Sequence, residues 1–339
     1  MITTESLQAA HTDDLTRAAQ LLRAGELVAV PTETVYGLAA DASNPMAVGK
    51  IFAAKGRPAD HPLIVHLAAA AELDKWAREI PAWLPPVLDA LWPGPLTVVL
   101  KKQAHVSDVI TAGLPTVGLR VPAHPVLRRL LQQFQLAVAA PSANPYQQLS
   151  PTRAEHVLAS LSGKIAAVLD GGPCTLGTES TIVRIADDHA ELLRKGPLSA
   201  SQLQALLPVP LLTPDRHQHA VSGNKKVHYR PRATVRLKST EWLEQNPVSA
   251  QQKADAEKLA WLVYSQALTD RSAPIVARMP ADHHGYRQRL YAALFELDQR
   301  GATEVWLELP PQAPEWADIH DRLQRAASPD DDRDNNDND

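Results

Sequence analysis

Residues 31–67 read PTETVYGLAADASNPMAVGKIFAAKGRPADHPLIVHL, and this stretch decides the fold class. An apolar run at 27–30 ends at Pro31, so Thr32, Glu33 and Thr34 set hydroxyls and a carboxylate at the mouth of a predicted strand, where α/β proteins bind ligands. Helical spacing over 44–54 follows and runs into Lys50, Lys55 and Arg57, held by Gly56 and Pro58. Three cations within eight residues suit a polyphosphate in low-dielectric surroundings. The same spacing also suits a solvated basic helix end that complements the helix dipole. Residues 62–67 return as a strand, which makes the segment a strand–helix–strand unit.

Working outward, Thr12 is placed to cap a helix with Asp13 and Asp14 in its first turn and Leu15, Ala18, Ala19 and Leu22 on one face. Strands are predicted at 96–101, 117–121, 136–140, 166–169, 180–185 and 190–194, with helices at 125–133 and 199–207. The mixture of short turns and intervening helices predicts an α+β or mixed-sheet α/β domain. Residues 208–231 lack periodicity and are too long for an ordinary connection, which marks a functional loop or a linker. Beyond them, strands at 259–265, 274–278 and 304–309 alternate with helices at 286–300 and 314–327, the pattern of a small three-layer α/β domain. The expected organisation is a first domain over 1–207, a linker or lid loop over 208–232, a small domain over 233–328 and a tail over 329–339. That tail holds six Asp, three Asn and one Arg and buries no apolar surface, so it is expected to be disordered.

Composition narrows the function. The 339 residues carry 34 Lys and Arg against 38 Asp and Glu, a net charge of −4, so no global basic excess argues for nucleic-acid binding. A single cysteine, Cys174, excludes a disulfide framework and any cysteine-only metal site, and reads as a bystander. The longest apolar run, 259–264, is six residues where a membrane span needs about 20. The opening MITTESLQAAHTDD has neither the basic start nor the apolar core of a secretory leader, and a cytoplasmic protein without membrane contact is expected. Common nucleotide and zinc fingerprints are missing: Gly49-Lys50 and Gly163-Lys164 are each followed by Ile, and GxGxxG and HExxH do not occur.

PTETVYGLAADA at 31–42, followed by K-G-R-P-x-x-x-P-L-I-V-H at 55–66, resembles the YrdC-like family of threonylcarbamoyl-AMP synthases. The likeness continues in order through PGPLT (93–97), VGLRVP (117–122), APSAN (140–144), SPT (150–152), DGG (170–172), ESTIV (179–183) and Leu193-Arg194, covering about residues 12–200. The remainder resembles the long form of the family, which adds a linker and a C-terminal domain; its His-Tyr-x-Pro linker end is kept at 228–231, while the lead at 222–224 lacks the usual Pro and Met.

This resemblance implies a twisted mixed sheet with helices around a basic cavity. It implies an ATP-dependent nucleotidyltransferase that condenses L-threonine, bicarbonate and ATP into threonylcarbamoyl-AMP and pyrophosphate, with Mg²⁺ carried by ATP and no organic cofactor. The product would pass to a tRNA threonylcarbamoyl transferase acting at position 37. Family matches imply that Thr34, His66, Arg120, Ala140 (through its backbone) and Ser180 line the threonine pocket, and that His61, Thr116, Ser142, Ser150, Tyr229 and Arg230 face ATP. Two anionic reactants must meet, so converging cations are required; Lys55, Arg57 and Arg194 are the expected phosphate clamp, and Arg120 the planar fork for the threonine carboxylate. No covalent nucleophile is needed. His66 also suits a satisfied core position, and Ser142 and Ser150 suit turns beside Pro141 and Pro151. An RNA-binding module using the same basic cavity, with at least weak tRNA or RNA contact, is the alternative from another class. A carbamoyl-phosphate-using maturation enzyme would need zinc-binding cysteines that the chain lacks.

Overall fold

The computed structural model describes residues 3–214, 229–246, 258–269 and 275–327. The chain divides into two compact units, Met1–Tyr146 with Ser150–Asn224, and Gln147–Leu149 with Lys225–Asp339. The linker lead at 222–224, Lys225, Lys226, His228 and the acidic tail at 329–339 lie outside the described residues.

The strands of the first unit are β1 (Glu5–Gln8), β2 (Val28–Val30), β3 (Gly37–Asp41), β4 (Ile64–His66), β5 (Leu96–Lys101), β6 (Thr116–Arg120), β7 (Val138–Ala139), β8 (Ala167–Asp170), β9 (Thr181–Ile185), β10 (Ala190–Arg194) and β11 (Leu211–Leu212). They form one mixed sheet in the order β1-β8-β2-β3-β7-β4-β6-β5-β9-β10-β11. Three of these strands escape the sequence pattern, among them the two-residue Leu211–Leu212 in the stretch read as a linker. Glu5–Gln8 is a short edge strand, and Gly37–Asp41, GLAAD, has little intrinsic strand preference but is drawn into the sheet by antiparallel pairing with β2 (Val28↔Ala39, Val30↔Gly37).

Register decides which face each side chain takes, because alternate residues point to opposite sides. One face carries Ala29, Leu38, Ala40, Val65, Val98, Leu119, Ala139, Val168 and Val183, all in the largest apolar cluster; the helices Pro45–Lys55, Leu84–Leu91, Ala154–Leu161 and Ala200–Leu206 each contribute buried residues to it. Across the β1-to-β7 half of the opposite face, Val28, Val30, Ala39, Val138 and Leu169 pack with the helices Thr12–Arg23 and Pro125–Gln133. On that same face the pairings His66↔Val138, His66↔Arg120, Ile64↔Gly118 and Val99↔Gly118 continue into the other half of the sheet. There, among the described residues, a small apolar group is found, Ile182 and Leu193 with the half-buried Ile64 and Val99. This half is where the predicted site residues collect.

Helix ends follow local chemistry. Asn44 caps the helix Pro45–Lys55 by accepting from the Met46 and Ala47 backbone N–H groups, Pro45 fills its first turn, and Gly56 closes it in the left-handed conformation (φ 62°). Lys55 and Arg57 are thereby fixed on either side of a rigid turn. Ser199 and Gln202 form a capping box on Ala200–Leu206. The predicted cap at Thr12 is corrected: Thr12 is the first helical residue, and the cap position falls on His11, which makes no side-chain cap bond. Asp14 instead reaches back to accept from Gln8 N at 2.7 Å.

The second unit holds a four-stranded, wholly parallel sheet of β12 (Thr234–Lys238), β13 (Leu259–Val263), β14 (Ile275–Arg278) and β15 (Glu304–Glu308), in the order β12-β15-β13-β14. Every residue of β13 is buried, so both faces are covered, as the three-layer expectation requires. Trp242, Trp261 and Trp306 pack on one face with Leu243, Val263 and Leu268. The helix His283–Gln299 is capped by Asp282, which accepts from Gly285 N at 2.8 Å.

Asn44→Ala should destabilise the first unit by about 1 kcal/mol, because two N–H groups at the start of the helix lose their acceptor. Urea denaturation of the variant against the parent protein measures this.

Candidate active site

The site is built from the backbone of the Thr32–Gly37 loop. Thr32 Oγ1 donates to Val35 O (2.6 Å) and accepts from the Thr34 and Val35 N–H groups (3.1 Å each), which folds the chain back immediately after β2. Residues 176–177 tie onto this loop through Leu176 N to Glu33 O (2.8 Å) and Gly177 N to Thr34 O (3.1 Å). Two segments distant in sequence then converge on Arg120 at the end of β6. Its Nε donates to Gly94 O (3.1 Å), Nη1 to Thr34 Oγ1 (3.0 Å) and Nη2 to Glu33 Oε1 (2.6 Å). Gly94 itself permits no side chain, since a Cβ there would lie 2.3 Å from Leu91 O.

The Arg120 fork, expected to hold a substrate carboxylate, also has partners within the chain. A carboxylate of the chain, Glu33, already occupies one terminal nitrogen and the Thr34 hydroxyl the other. Sequence reasoning read Glu33 as part of the strand mouth without giving it this partner, because a pairing across 87 residues leaves no local signal.

Next to this knot, Thr97 Oγ1 and Ser180 Oγ share a hydrogen bond of 2.8 Å, and Arg194 binds Ser180 twice, Nε to its carbonyl and Nη2 to its hydroxyl, at 3.0 Å each. Ser150 donates to Glu179 Oε1 at 2.5 Å. His66, opposite Arg120 in the register, is buried with its Nδ1 unpartnered. Burial, with Arg120 adding to it, pushes its pKa down to about 3, so the ring is neutral at ordinary pH.

A second knot holds the cations predicted for phosphate. Lys55 Nζ donates to the Ser142 and Asn144 carbonyls, and its carbonyl accepts from Tyr146 N (2.8 Å). Burial, reinforced by Arg57, drives the Lys55 pKa well below the usual lysine value. Arg57 donates to Pro62 O at 3.2 Å. His61 pairs through Nδ1 with Asp60 (2.5 Å) and approaches Tyr146 Oη through Nε2 (3.4 Å). Ala140 N donates to Ile64 O (3.0 Å), and the backbone of Ser142 bridges Gly37, so both knots meet on the β4–β7 part of the sheet.

Thus Thr34, Lys55, Arg57, His61, His66, Arg120, Ala140, Ser142, Ser150, Ser180 and Arg194 all lie in the first unit, in several separate hydrogen-bonded groups. Thr116 stands apart, at the opposite end of β6 from Arg120 on the same face. Tyr229 and Arg230 belong to the second unit. There the Tyr229 ring, at φ +63°, stacks on Tyr291 (5.7 Å) beneath the Arg322 guanidinium (5.1 Å), and Arg230 N donates to Gln147 O. Among the described residues of the first unit, Lys55, Arg57, Arg120 and Arg194 are buried cations, a concentration that only an anionic ligand or internal carboxylates would compensate. Cys174 is buried, and burial raises its pKa, so it is no ready nucleophile.

Comparison with known proteins places the chain in a family. The Sua5/YciO/YrdC family model, described as telomere recombination, matches residues 20–196, and the model described as threonylcarbamoyl-AMP synthase, C-terminal domain, matches 198–328. A threonylcarbamoyl-AMP synthase of Bacillus subtilis is 44% identical over 228 residues, covering 66% of each chain, and that of Schizosaccharomyces pombe is 34% identical over 359 residues, covering 93% of this chain and 88% of its own. The chain thus spans about two thirds of the bacterial relative's length and most of the fission-yeast one's. The crystal structure of Pyrococcus abyssi Sua5 complexed with L-threonine matches with a TM-score of 0.86 at 32% identity, over 96% of this chain and 97% of that one. Escherichia coli YciO shares the fold of the first unit (TM-score 0.52, 20% identity).

Burial also holds His156 down, to about 4. In the unfolded chain both histidines take up a proton below about pH 6.5, whereas in the folded protein they remain neutral down to their lowered values. Stability should be full above about pH 7 and fall on acidification, by up to about 1.4 kcal/mol per pH unit for each ring. Urea titrations at pH 7, 6 and 5 should show this slope, and His156→Asn should flatten it by one ring's share.

Proposed function

The chain belongs to the Sua5/YciO/YrdC family in its long, two-domain form, and from that premise we propose that it is a threonylcarbamoyl-AMP synthase, a nucleotidyltransferase acting on L-threonine, bicarbonate and ATP. The observation that carries the reading is the set of four buried cations, Lys55, Arg57, Arg120 and Arg194, together with the buried hydroxyls of Thr97 and Ser180 in the first unit. Carboxylation of the threonine amine gives an N-carboxy dianion, whose new carboxylate attacks the α-phosphorus of ATP and expels pyrophosphate. Both reactants are anions, and like charges about 4 Å apart repel by about 4 kcal/mol at an effective dielectric near 20. Catalysis is then largely positioning and charge compensation, with no covalent enzyme intermediate.

In this reading Lys55 and Arg57 hold the phosphates, Arg194 completes the clamp, and Thr34, His66, Arg120, Ala140 N–H and Ser180 surround threonine. His61, Thr116, Ser142 and Ser150 serve the nucleotide. Burial lowers the Lys55 pKa, and an anionic phosphate beside it would favour its ammonium form. Mg²⁺ carried by ATP would supply charge compensation for the pyrophosphate; among the described residues there is no group of three His, Cys, Asp or Glu side chains that could hold it. The product is an unstable mixed anhydride, and we assign its use to a tRNA threonylcarbamoyl transferase in the cytoplasm. No helix among the described residues is long and apolar enough to cross a membrane.

Pyrophosphate release from ATP should require both L-threonine and bicarbonate. Arg57→Ala and Lys55→Met should each lower it about a hundredfold or more, the usual scale for removing one preorganised charge. Release that ignored threonine would sink the proposal, and salt-dependent RNA binding without turnover would favour an RNA-binding role.

A further inference from the structure

Glu33 is a buried carboxylate of which only half is accounted for. Oε1 accepts from Arg120 Nη2, whereas Oε2 is shielded from solvent and has no hydrogen-bond partner. Leaving a buried acceptor without a donor costs about 1–3 kcal/mol, and more when the group is charged. Such an atom calls for a donor that arrives with a ligand. The chain directs its own cations elsewhere: Lys55 to the Ser142 and Asn144 carbonyls, Arg57 to Pro62 O and Arg194 to Ser180. His124 and Cys174 lie close enough to sense the Glu33 charge, and neither donates to Oε2.

A second unpartnered atom, His66 Nδ1, stands on the strand beside Arg120. Arg120 keeps one N–H on each terminal nitrogen beyond those given to Thr34 and Glu33. One guanidinium is therefore surrounded by an anionic acceptor, a neutral ring nitrogen and a hydroxyl, and it has two donors left. An amino-acid zwitterion asks for this combination, an anionic acceptor for its ammonium and donors for its carboxylate.

We propose that Glu33 Oε2 receives the α-ammonium of the amino-acid substrate and takes the proton that the amine must lose before it is carboxylated. The identity of that substrate rests on the synthase reading above. In the first step R–NH₃⁺ and the Glu33 carboxylate give R–NH₂ and the carboxylic acid. The amine lone pair then forms the N–C bond to bicarbonate, a C–O bond of bicarbonate breaks, and its hydroxide leaves with the second amine proton as water. The product is R–NH–COO⁻, and Glu33 returns its proton to solvent. Arg120 is a positioning residue here, since it fixes the Glu33 carboxylate through Oε1 and leaves Oε2 to the substrate.

The test is calorimetric binding of L-threonine, ATP and (R)-3-hydroxybutyrate, which is threonine without its amino group, to the parent protein and to Glu33→Gln. The amide keeps an acceptor for Arg120 and removes the charge. L-Threonine should bind the variant at least tenfold more weakly, while ATP and (R)-3-hydroxybutyrate stay within twofold. At saturating threonine, kcat of the variant should be lower and should climb with pH as solvent takes over deprotonation. Glu33→Asp, which keeps the charge on a shorter arm, should recover part of the threonine affinity, and it carries the test if the amide variant does not fold. Threonine affinity within twofold of the parent would overturn the proposal, as would equal weakening of threonine and (R)-3-hydroxybutyrate, the mark of a disturbed pocket. Binding is read without turnover, so a parent protein that binds threonine through Glu33 but releases no pyrophosphate would refute the synthase reading and leave the ammonium site standing.

Discussion

The Arg120 guanidinium is the tie on which the site depends. It joins the end of β6 to Gly94 O, 26 residues away, on one side and to Thr34 and Glu33, 86 and 87 residues away, on the other, so two distant segments share one buried cation. Removing one partner of such a buried pair typically costs about 3–5 kcal/mol, because the other charge is left in low dielectric. The tie is therefore an obligation as well as a support: Glu33 and Arg120 can be buried only together. Gly94 contributes by lacking a side chain, since any Cβ would collide with Leu91 O and displace the carbonyl that Arg120 needs.

The sheet supplies the room. One face is wholly committed to the largest apolar cluster, and the helices Thr12–Arg23 and Pro125–Gln133 close only half of the other. The remaining half keeps His66, Gly118 and Arg120 in register on adjacent strands, with Ile64, Val99, Ile182 and Leu193 as a small apolar floor. Gly118 stays close to the plane of that floor, where an added Cβ would come 3.5 Å from Ile64 and 3.6 Å from Thr97. Polar groups placed there act in surroundings where each charge counts for more than it would in water, which suits a reaction between anions.

Much of this was legible from local patterns. Helix 125–133 and strands 96–101 and 190–194 have the bounds that periodicity predicts, and the cation-rich helix end at Lys55 is where the sequence sets it. Elements that periodicity missed have a physical reason in common. Gly37–Asp41 is a strand because β2 and β7 pair with it, Glu5–Gln8 because β8 does, and Thr234–Lys238 because β15 does. The helix Leu84–Leu91 begins LPP, and its two prolines disguise it until its Leu84, Val87 and Leu88 are seen packed in the core.

The amino-acid order by itself determined the residue types of the site: the hydroxyls and carboxylate after the second strand, the Lys-Gly-Arg turn, and the arginines ending two further strands. These are local, since a strand end or a capped helix needs only neighbouring residues to specify it. Tertiary structure alone decided which of these groups act on one another. That Arg120 meets Glu33, that Lys55 points to two carbonyls, and which residues share a sheet face are settled by strand order and register. Those contacts close over loops of about 90 residues, and no local pattern encodes them.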